Sequence, residues 1–379
     1  MKTQILRDCC TIIAGQSPES KYYNTEGNGL PFFQGKADFG ELYPTVRVYC
    51  SQPTKIAEKD DILLSVRAPV GPTNLSPGRV CIGRGLTAIR PSKELNLKYL
   101  LFFFNYFEAQ LQQQGTGTTF KAITQDVIKN LEVPVPPLTE QQRIVARIEE
   151  LFSQLDSGVE TLRKTKQQLA VYRQAVLKEA FSRCPDKVIV KSVCEHVTDG
   201  DHMPPPKSAA GIPFIMISNV ENHCINWGNT AYVGRDYYQN IDSKRKPRKG
   251  DVLYTVTGSF GIPVLVDFEK EFCFQRHIAL LRPNQTIKQK FLYYAMQEPS
   301  VYSQASKRAT GTAQKTVGLA VLRSIEIPFV GSLEKQGQIV QDIENKMSVC
   351  DSIEQTVDEA LQQAEALRQS ILKQAFEGE

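Results

Sequence analysis

Two stretches of the chain show apolar residues returning every three or four positions among polar ones, the spacing that lays one stripe along a helix. In the first the stripe is Ile144, Ile148, Leu151, Leu155, Leu162, Leu169, Tyr172 and Val176. In the second, 195 positions later, the same register carries Ile339, Ile343, Lys346, Cys350, Val357, Ala364, Leu367 and Ile371. Gly158, Thr165 and Lys346 interrupt it. The first helix enters at Thr139 after the breaker PVPP, the second at Leu333 after VGS. Each spans about 43 residues, or about 65 Å at 1.5 Å per residue. Heptad-like spacing over that length predicts a coiled-coil seam. The helix ends match best: AVYRQAVLKEAF (Ala170–Phe181) against EALRQSILKQAF (Glu365–Phe376).

Elsewhere the pattern shortens. PTVRVYC (Pro44–Cys50), DILLSV (Asp61–Val66), DVLYTV (Asp251–Val256) and PVLVDF (Pro263–Phe268) are β-branched or aromatic runs bounded by Gly, Pro and Asp, and predict strands. KYLLFFFNYFEAQLQQQ (Lys98–Gln114) and QKFLYYAMQEPSVYSQAS (Gln289–Ser306) predict helices. These regions also match one another in order. GLPFFQ (Gly29–Gln34) answers GIPFIM (Gly211–Met216), DDILLSVRAPVG (Asp60–Gly71) answers GDVLYTVTGSFG (Gly250–Gly261), and TGTTFKAI (Thr116–Ile123) answers TGTAQKTV (Thr310–Val317). The offset drifts from 182 to 195, so the chain is one unit written twice with small insertions. The expected fold is α+β: a globular domain over 1–138, a helix over 139–184, a similar domain over 185–332 and a helix over 333–379. The connection CPDK (Cys184–Lys187) is too short for parallel pairing. The helices are therefore expected as an antiparallel two-helix coiled coil separating two similar heads about a pseudo-twofold axis.

Composition is that of a globular protein, 41% hydrophobic and 23% charged. The most apolar stretch, Leu97–Phe107, is about half a bilayer span. Nine cysteines, an odd number with no CxxC pair, favour reduced thiols. With no signal-like N-terminal run, a cytoplasmic protein without membrane contact is expected. The net charge of +4 divides unevenly: residues 333–379 carry −6 and residues 1–332 carry +10. A basic body suits a polyanion.

Catalytic signatures are missing. PPL (Pro136–Leu138) and MPPPK (Met203–Lys207) lack the Asn/Asp and aromatic of a methyltransferase loop, GRGLTA (Gly83–Ala88) is not GxGxxG, and no GxxxxGK[ST] occurs. GTGTT (Gly115–Thr119) reads as a turn. Cys194, His196, His202, His223 and Cys224 are the one cluster of ligand-type residues; their spacing fits no standard zinc pattern, and no metal is expected.

What remains suits nucleic acid. KRKPRK supplies Lys244, Arg245, Lys246, Arg248 and Lys249 for phosphates. SVRAPVG (Ser65–Gly71) and TVTGSFG (Thr255–Gly261) are matched strand ends whose tips differ, as two readers of different sequences require. Arg67 suits guanine O6/N7, whereas Thr257 and Ser259 serve several bases. Lys121 and Lys315, each following TGT, are matched phosphate candidates; Gln34, Lys36, Arg276 and His277 are further candidates.

LTEQQRIVARIEELFSQLD, preceded by LEVPVPP, resembles the conserved region of the specificity subunit of type I restriction-modification systems. LEKQGQIVQDIENKMSVCD stands where that family has its distal conserved region, with Lys335 in place of Glu140 and no Pro-Pro-Leu before it. The resemblance covers the whole chain. It implies a non-catalytic subunit whose two target recognition domains read the halves of a bipartite site in double-stranded DNA. The helices would fix the gap. Two modification (methyltransferase) subunits would bring S-adenosylmethionine and flip the target base; restriction subunits would bring ATP and Mg. The helical region would dock the modification subunits, with Gln141, Gln142, Arg173, Gln174, Arg368 and Gln369 as contacts. Two rivals stand beside it: a coiled-coil adaptor with two protein-binding heads, and the recognition part of a self-contained DNA modification enzyme.

Overall fold

A computed structural model describes residues 2–116, 122–202, 205–312 and 314–378. The chain forms two compact units, Met1–Leu162 with Glu359–Glu379, and Arg163–Asp358. The boundaries fall inside both long helices, so each unit holds one head with one end of each helix rather than following the four sequence segments.

In the first unit four antiparallel strands lie in the order Cys10–Ala14, Leu86–Pro91, Ile62–Ser65, Thr73–Leu75. In the second unit the order is Cys194–Asp199, Ile278–Pro283, Val252–Thr255, Pro263–Leu265. The central strands, ILLS and VLYT, are buried at every position, which is why they read as continuous apolar runs. At the head of each lies an acid that grips an arginine of the neighbouring strand. Arg90 donates to both oxygens of Asp61 at 2.7 and 2.8 Å; Arg282 donates to both oxygens of Asp251 at 2.9 and 2.8 Å. These bonds to Asp251 raise the Arg282 guanidinium above its ordinary value. A second sheet of short strands accompanies each main one, five strands in the first unit and four in the second, together with two-stranded pairings.

Three expectations change. PTVRVYC is strand only at Tyr49–Cys50; its earlier part is spent on loop bonds such as Thr45 N–H to the Asp38 carbonyl at 2.8 Å. PVLVDF is strand only over Pro263–Leu265. QKFLYYAMQEPSVYSQAS is two helices, Gln289–Ala295 and Pro299–Arg308. Proline has no N–H to continue a helix but suits a first turn, and the Glu298 carboxylate caps the new helix by accepting from Ser300 N–H at 2.9 Å.

The long helices run Leu138–Ser182 and Leu333–Glu377, 45 residues each. Each begins on a buried glutamine. The Gln141 amide donates to the carbonyls of Pro136 (2.8 Å) and Glu94 (2.9 Å) and accepts from Asn96 N–H (2.7 Å). The Gln336 amide donates to those of Val330 (2.8 Å) and Thr286 (3.0 Å) and accepts from Lys288 N–H (2.8 Å). Within the second unit, rising numbers on one helix meet falling numbers on the other. Lys166 pairs with Asp358 at 2.8 Å, Arg173 with Asp351 at 2.7 Å, and Arg183 with Asp342 at 3.0 Å. The two helix ends are thus antiparallel there. Within the first unit Arg368 pairs with Asp156, its guanidinium 4.9 Å from the Phe152 ring centre. The end of the second helix drives Phe376 among Tyr99, Phe103 and Tyr106. In the second unit Phe181 meets Phe291. Among the described residues no helix is long and apolar enough to cross a membrane.

Candidate nucleic-acid interface

In the first unit the strand Ile62–Ser65 ends in a loop held from below. The Ser65 hydroxyl donates to the carbonyls of Arg67 and Pro69 at 3.1 and 2.8 Å, and the Gly71 N–H returns to the Ser65 carbonyl at 2.9 Å. Gly71 has φ +107°, and a Cβ there would lie 2.7 Å from the Glu108 side chain, so the position needs glycine. The Ala68–Pro69 peptide is cis. Val66 N–H bonds the Gly85 carbonyl at 2.9 Å, and the Val66 carbonyl accepts from Ile123 N–H at 3.1 Å. These bonds lace the tip to two other turns. The open cleft between them, about 600 Å³, is lined by Ser17, Gln34, Lys36, Asp38, Arg67 and Arg84 among others. The candidates Gln34, Lys36 and Arg67 therefore come together, all exposed. Lys121 lies outside the described residues.

The second unit repeats the lacing with other tips. The Thr255 hydroxyl donates to the Ser259 carbonyl at 2.8 Å and Gly261 N–H returns to the Thr255 carbonyl at 2.9 Å. Val256 N–H bonds the His277 carbonyl at 2.9 Å, and Val317 N–H bonds the Val256 carbonyl at 2.8 Å. Gly258 N–H donates to the Lys315 carbonyl at 2.9 Å, which brings the exposed Ser259 and Lys315 to one place, whereas Thr257 is buried, its hydroxyl accepting from that of Thr316 at 3.4 Å, and is not open to a base. Thr257, Ser259, Ser218, Glu221 and Gln314 line a cleft of about 420 Å³. Arg276 lines a separate cavity with Asp201, His202 and Gln275. Burial, and then the Arg276 charge, pushes the His277 imidazole below its usual value.

The basic run Lys244–Lys249 is not one patch. Arg245 sits 3.5 Å from Asp199 and 3.9 Å from Asp201. Lys246 donates to the Gln239 carbonyl at 2.9 Å and lies over the Tyr238 ring. Arg248 and Lys249 line a different cleft beside Glu269 and Glu271. Lys244 is exposed. The run is divided because a short 3-10 turn, Ser243–Arg245, sends successive side chains different ways. The ligand-type residues are also apart in role: His202 Nε2 meets Asp199 Oδ2 at 2.8 Å, His223 Nδ1 meets the Pro263 carbonyl at 3.0 Å, Cys194 is buried and Cys224 exposed.

On the helices, Gln142, Gln174 and Gln369 are exposed, as docking contacts must be. Gln141 is removed from that set: it is fully buried, and its amide is committed to backbone groups of its own head. Arg173 and Arg368 are half-buried and bound to acids of the other long helix, at Asp351 and Asp156.

The family model for the type I restriction modification DNA specificity domain matches residues 1–169 and, a second time, 191–363. The chain belongs to that family. Each match takes in one of the laced clefts and most of the long helix after it. The chain is 41% identical over 167 residues to a provisionally named type I restriction enzyme MjaX specificity subunit of Methanocaldococcus jannaschii, covering 44% of this chain and 38% of that one. It is 23% identical over 376 residues to the type I restriction enzyme EcoKI specificity subunit of Escherichia coli, covering 91% of this chain and 80% of that one. A crystal structure of the HsdS subunit from Thermoanaerobacter tengcongensis matches at 50% identity over 40% of this chain and 37% of that one, with TM-score 0.38. The match spans under two thirds of the length of MjaX and, at 65%, of the Escherichia coli EcoBI specificity subunit.

Within the specificity-domain clefts, sequence reasoning passed over Ser17 and Arg84. Arg84 sits inside GRGLTA, whose glycines draw attention to a nucleotide loop rather than to the arginine between them. The available signal was positional: Arg84 stands to LTAIRP as Arg276 stands to IALLRP, two residues before the strand in each copy.

Proposed function

We propose that this chain is the non-catalytic DNA-specificity subunit of a type I restriction-modification complex. Each unit reads one half of a bipartite site in double-stranded DNA through its cleft, base edges setting sequence and phosphates setting register. The two long helices form an antiparallel coiled coil that sets the gap between the halves and docks two modification subunits, through exposed positions such as Gln142, Gln174 and Gln369. S-adenosylmethionine belongs to those subunits, and ATP with Mg to restriction subunits. The reading is carried by one observation: two clefts built by the same hydrogen bonds, at matched places in a duplicated chain, with tips that differ.

The test is a map of methylated adenines in DNA from cells expressing this chain with its modification partner. A two-part motif with a fixed gap is expected, and replacing residues 1–138 with the same region of another family member should change one half only. No new methylation from an assembled complex, whose methylase is active with another specificity subunit, sinks the proposal.

A further inference from the structure

The duplication allows each cleft position to be compared with its counterpart. Sheet register and the lacing bonds align Gly83, Arg84 and Gly85 with Gln275, Arg276 and His277. Gly83 N–H donates to the Phe33 carbonyl at 2.8 Å, and Gln275 N–H to the Ile215 carbonyl at 2.9 Å. The Gly85 and His277 carbonyls each accept from the valine of the reading loop, Val66 or Val256, at 2.9 Å. The middle residue's own N–H is tied as well, Arg84 to the Ser17 hydroxyl at 3.2 Å and Arg276 to the Asp201 carbonyl at 3.1 Å. Both turns are therefore fixed at the backbone on each side of one arginine. In the first unit the fixing is tight: a Cβ on Gly85 would lie 2.2 Å from the Gln34 carbonyl. Both arginines are exposed, and neither makes an ion pair among the described residues.

The flanking chemistry does not survive the comparison. Arg67 becomes Thr257, Lys36 becomes Ser218 and Gln34 becomes Met216. Two half-sites of different sequence need different readers but the same grip on the DNA backbone. A position whose chemistry changes between copies suits base reading. A position that keeps an arginine, on a backbone held by corresponding hydrogen bonds, suits a feature common to both half-sites. The feature common to any two half-sites is the phosphodiester backbone, and an unpaired guanidinium presents the fork that matches it.

We infer that Arg84 and Arg276 are matched phosphate anchors, one per unit, Arg84 within the cleft that holds Arg67 and Arg276 on the turn laced to the Thr257–Ser259 loop but lining the separate cavity beside Asp201, and that they fix register so that the variable tips meet base edges. The inference rests on the DNA-specificity reading and assigns a residue, Arg84, that the sequence did not single out.

The test uses the full chain assembled with its modification partner. DNA binding is measured over a salt series, and bound sequences are selected from a random library, for the unaltered complex, Arg84→Ala, Arg276→Ala and Arg84→Lys. Each alanine variant should weaken binding to all sequences alike and lower the salt slope by about 1. The selected motif should stay the same in both halves, and the thermal midpoint should not move. Arg84→Lys, which keeps the charge, should restore most of the slope. Loss of discrimination at one base pair of the motif makes the arginine a base reader and overturns the inference; so does an unchanged affinity and slope in either alanine variant. If the unaltered complex selects no two-part sequence, the function reading fails first and the anchors fail with it.

Discussion

The two clefts share a scaffold and differ at the surface. Ser65 and Thr255 prop their loops by the same bonds, and Gly71 and Gly261 close them with the same backbone sign, φ +107° and +95°. Above that scaffold the first cleft presents Lys36, Arg67 and Arg84, while the second presents Ser218, Ser259 and Glu221 over a buried Thr257. The scaffold is made almost wholly of main-chain bonds, so the tip residues are free to vary without moving it. The difference teaches that fold and recognition are carried by separate atoms in this chain.

Predictions that break or sharpen the comparison begin with the aromatic sockets. Phe376→Ala and Phe181→Ala should each cost about 3–5 kcal/mol, with the larger loss at Phe376, which meets three rings against one for Phe181. Urea unfolding of the full chain checks this, and equal losses would show that the ring cluster adds nothing beyond burial. The acid–arginine pairs come next. Asp251→Ala strands a side chain that is 10% exposed and should cost about 3–5 kcal/mol. Asp61→Ala strands Arg90, which is 42% exposed, and should cost about 1–3 kcal/mol. A reversed order of thermal midpoints would refute burial as the cause.

Exchanging the tips should act on recognition rather than stability. Replacing Arg67, Ala68 and Pro69 by Thr, Gly and Ser should alter one half of the methylation motif, with about 1–3 kcal/mol of lost discrimination at a guanine. An unaltered motif would take Arg67 out of base contact. The smallest effect is expected at Lys315→Ala, a uniform weakening with a salt slope lower by about 1. A slope equal to that of the unaltered complex removes Lys315 from the phosphates.

The sequence made the long helices legible because an apolar stripe on one face has to recur at helical spacing. The fully buried strands ILLS and VLYT were legible for a similar reason: continuous apolar runs have few other uses. Two-residue strands such as Tyr23–Asn24 were not, since they take their conformation from neighbours. Pro299 marks the helix break in the sequence, where apolar residues on both sides make one continuous helix the simpler expectation. Gln141 read as a surface residue because a polar side chain at a helix start is usually solvated; its burial depends on a loop 45 residues earlier. The run Lys244–Lys249 read as one patch because sequence adjacency says nothing of the turn that separates its side chains. Arg84 had an address in the sequence, two residues before LTAIRP as Arg276 is before IALLRP, but only the fold brings it beside Arg67.

The glutamine at the start of each long helix has an evolutionary corollary. Gln141 and Gln336 grip their heads only through main-chain carbonyls and one amide N–H, groups that every sequence supplies wherever the chain follows the same path. Such a joint is indifferent to the side chains of what it holds. A head of different sequence that arrives by recombination, and that lays its backbone along the same two loops, would meet the same glutamine bonds. New specificities would then be acquired by exchange of whole heads that keep both this backbone path and the apolar surface on which the helices pack, such as the rings around Phe376.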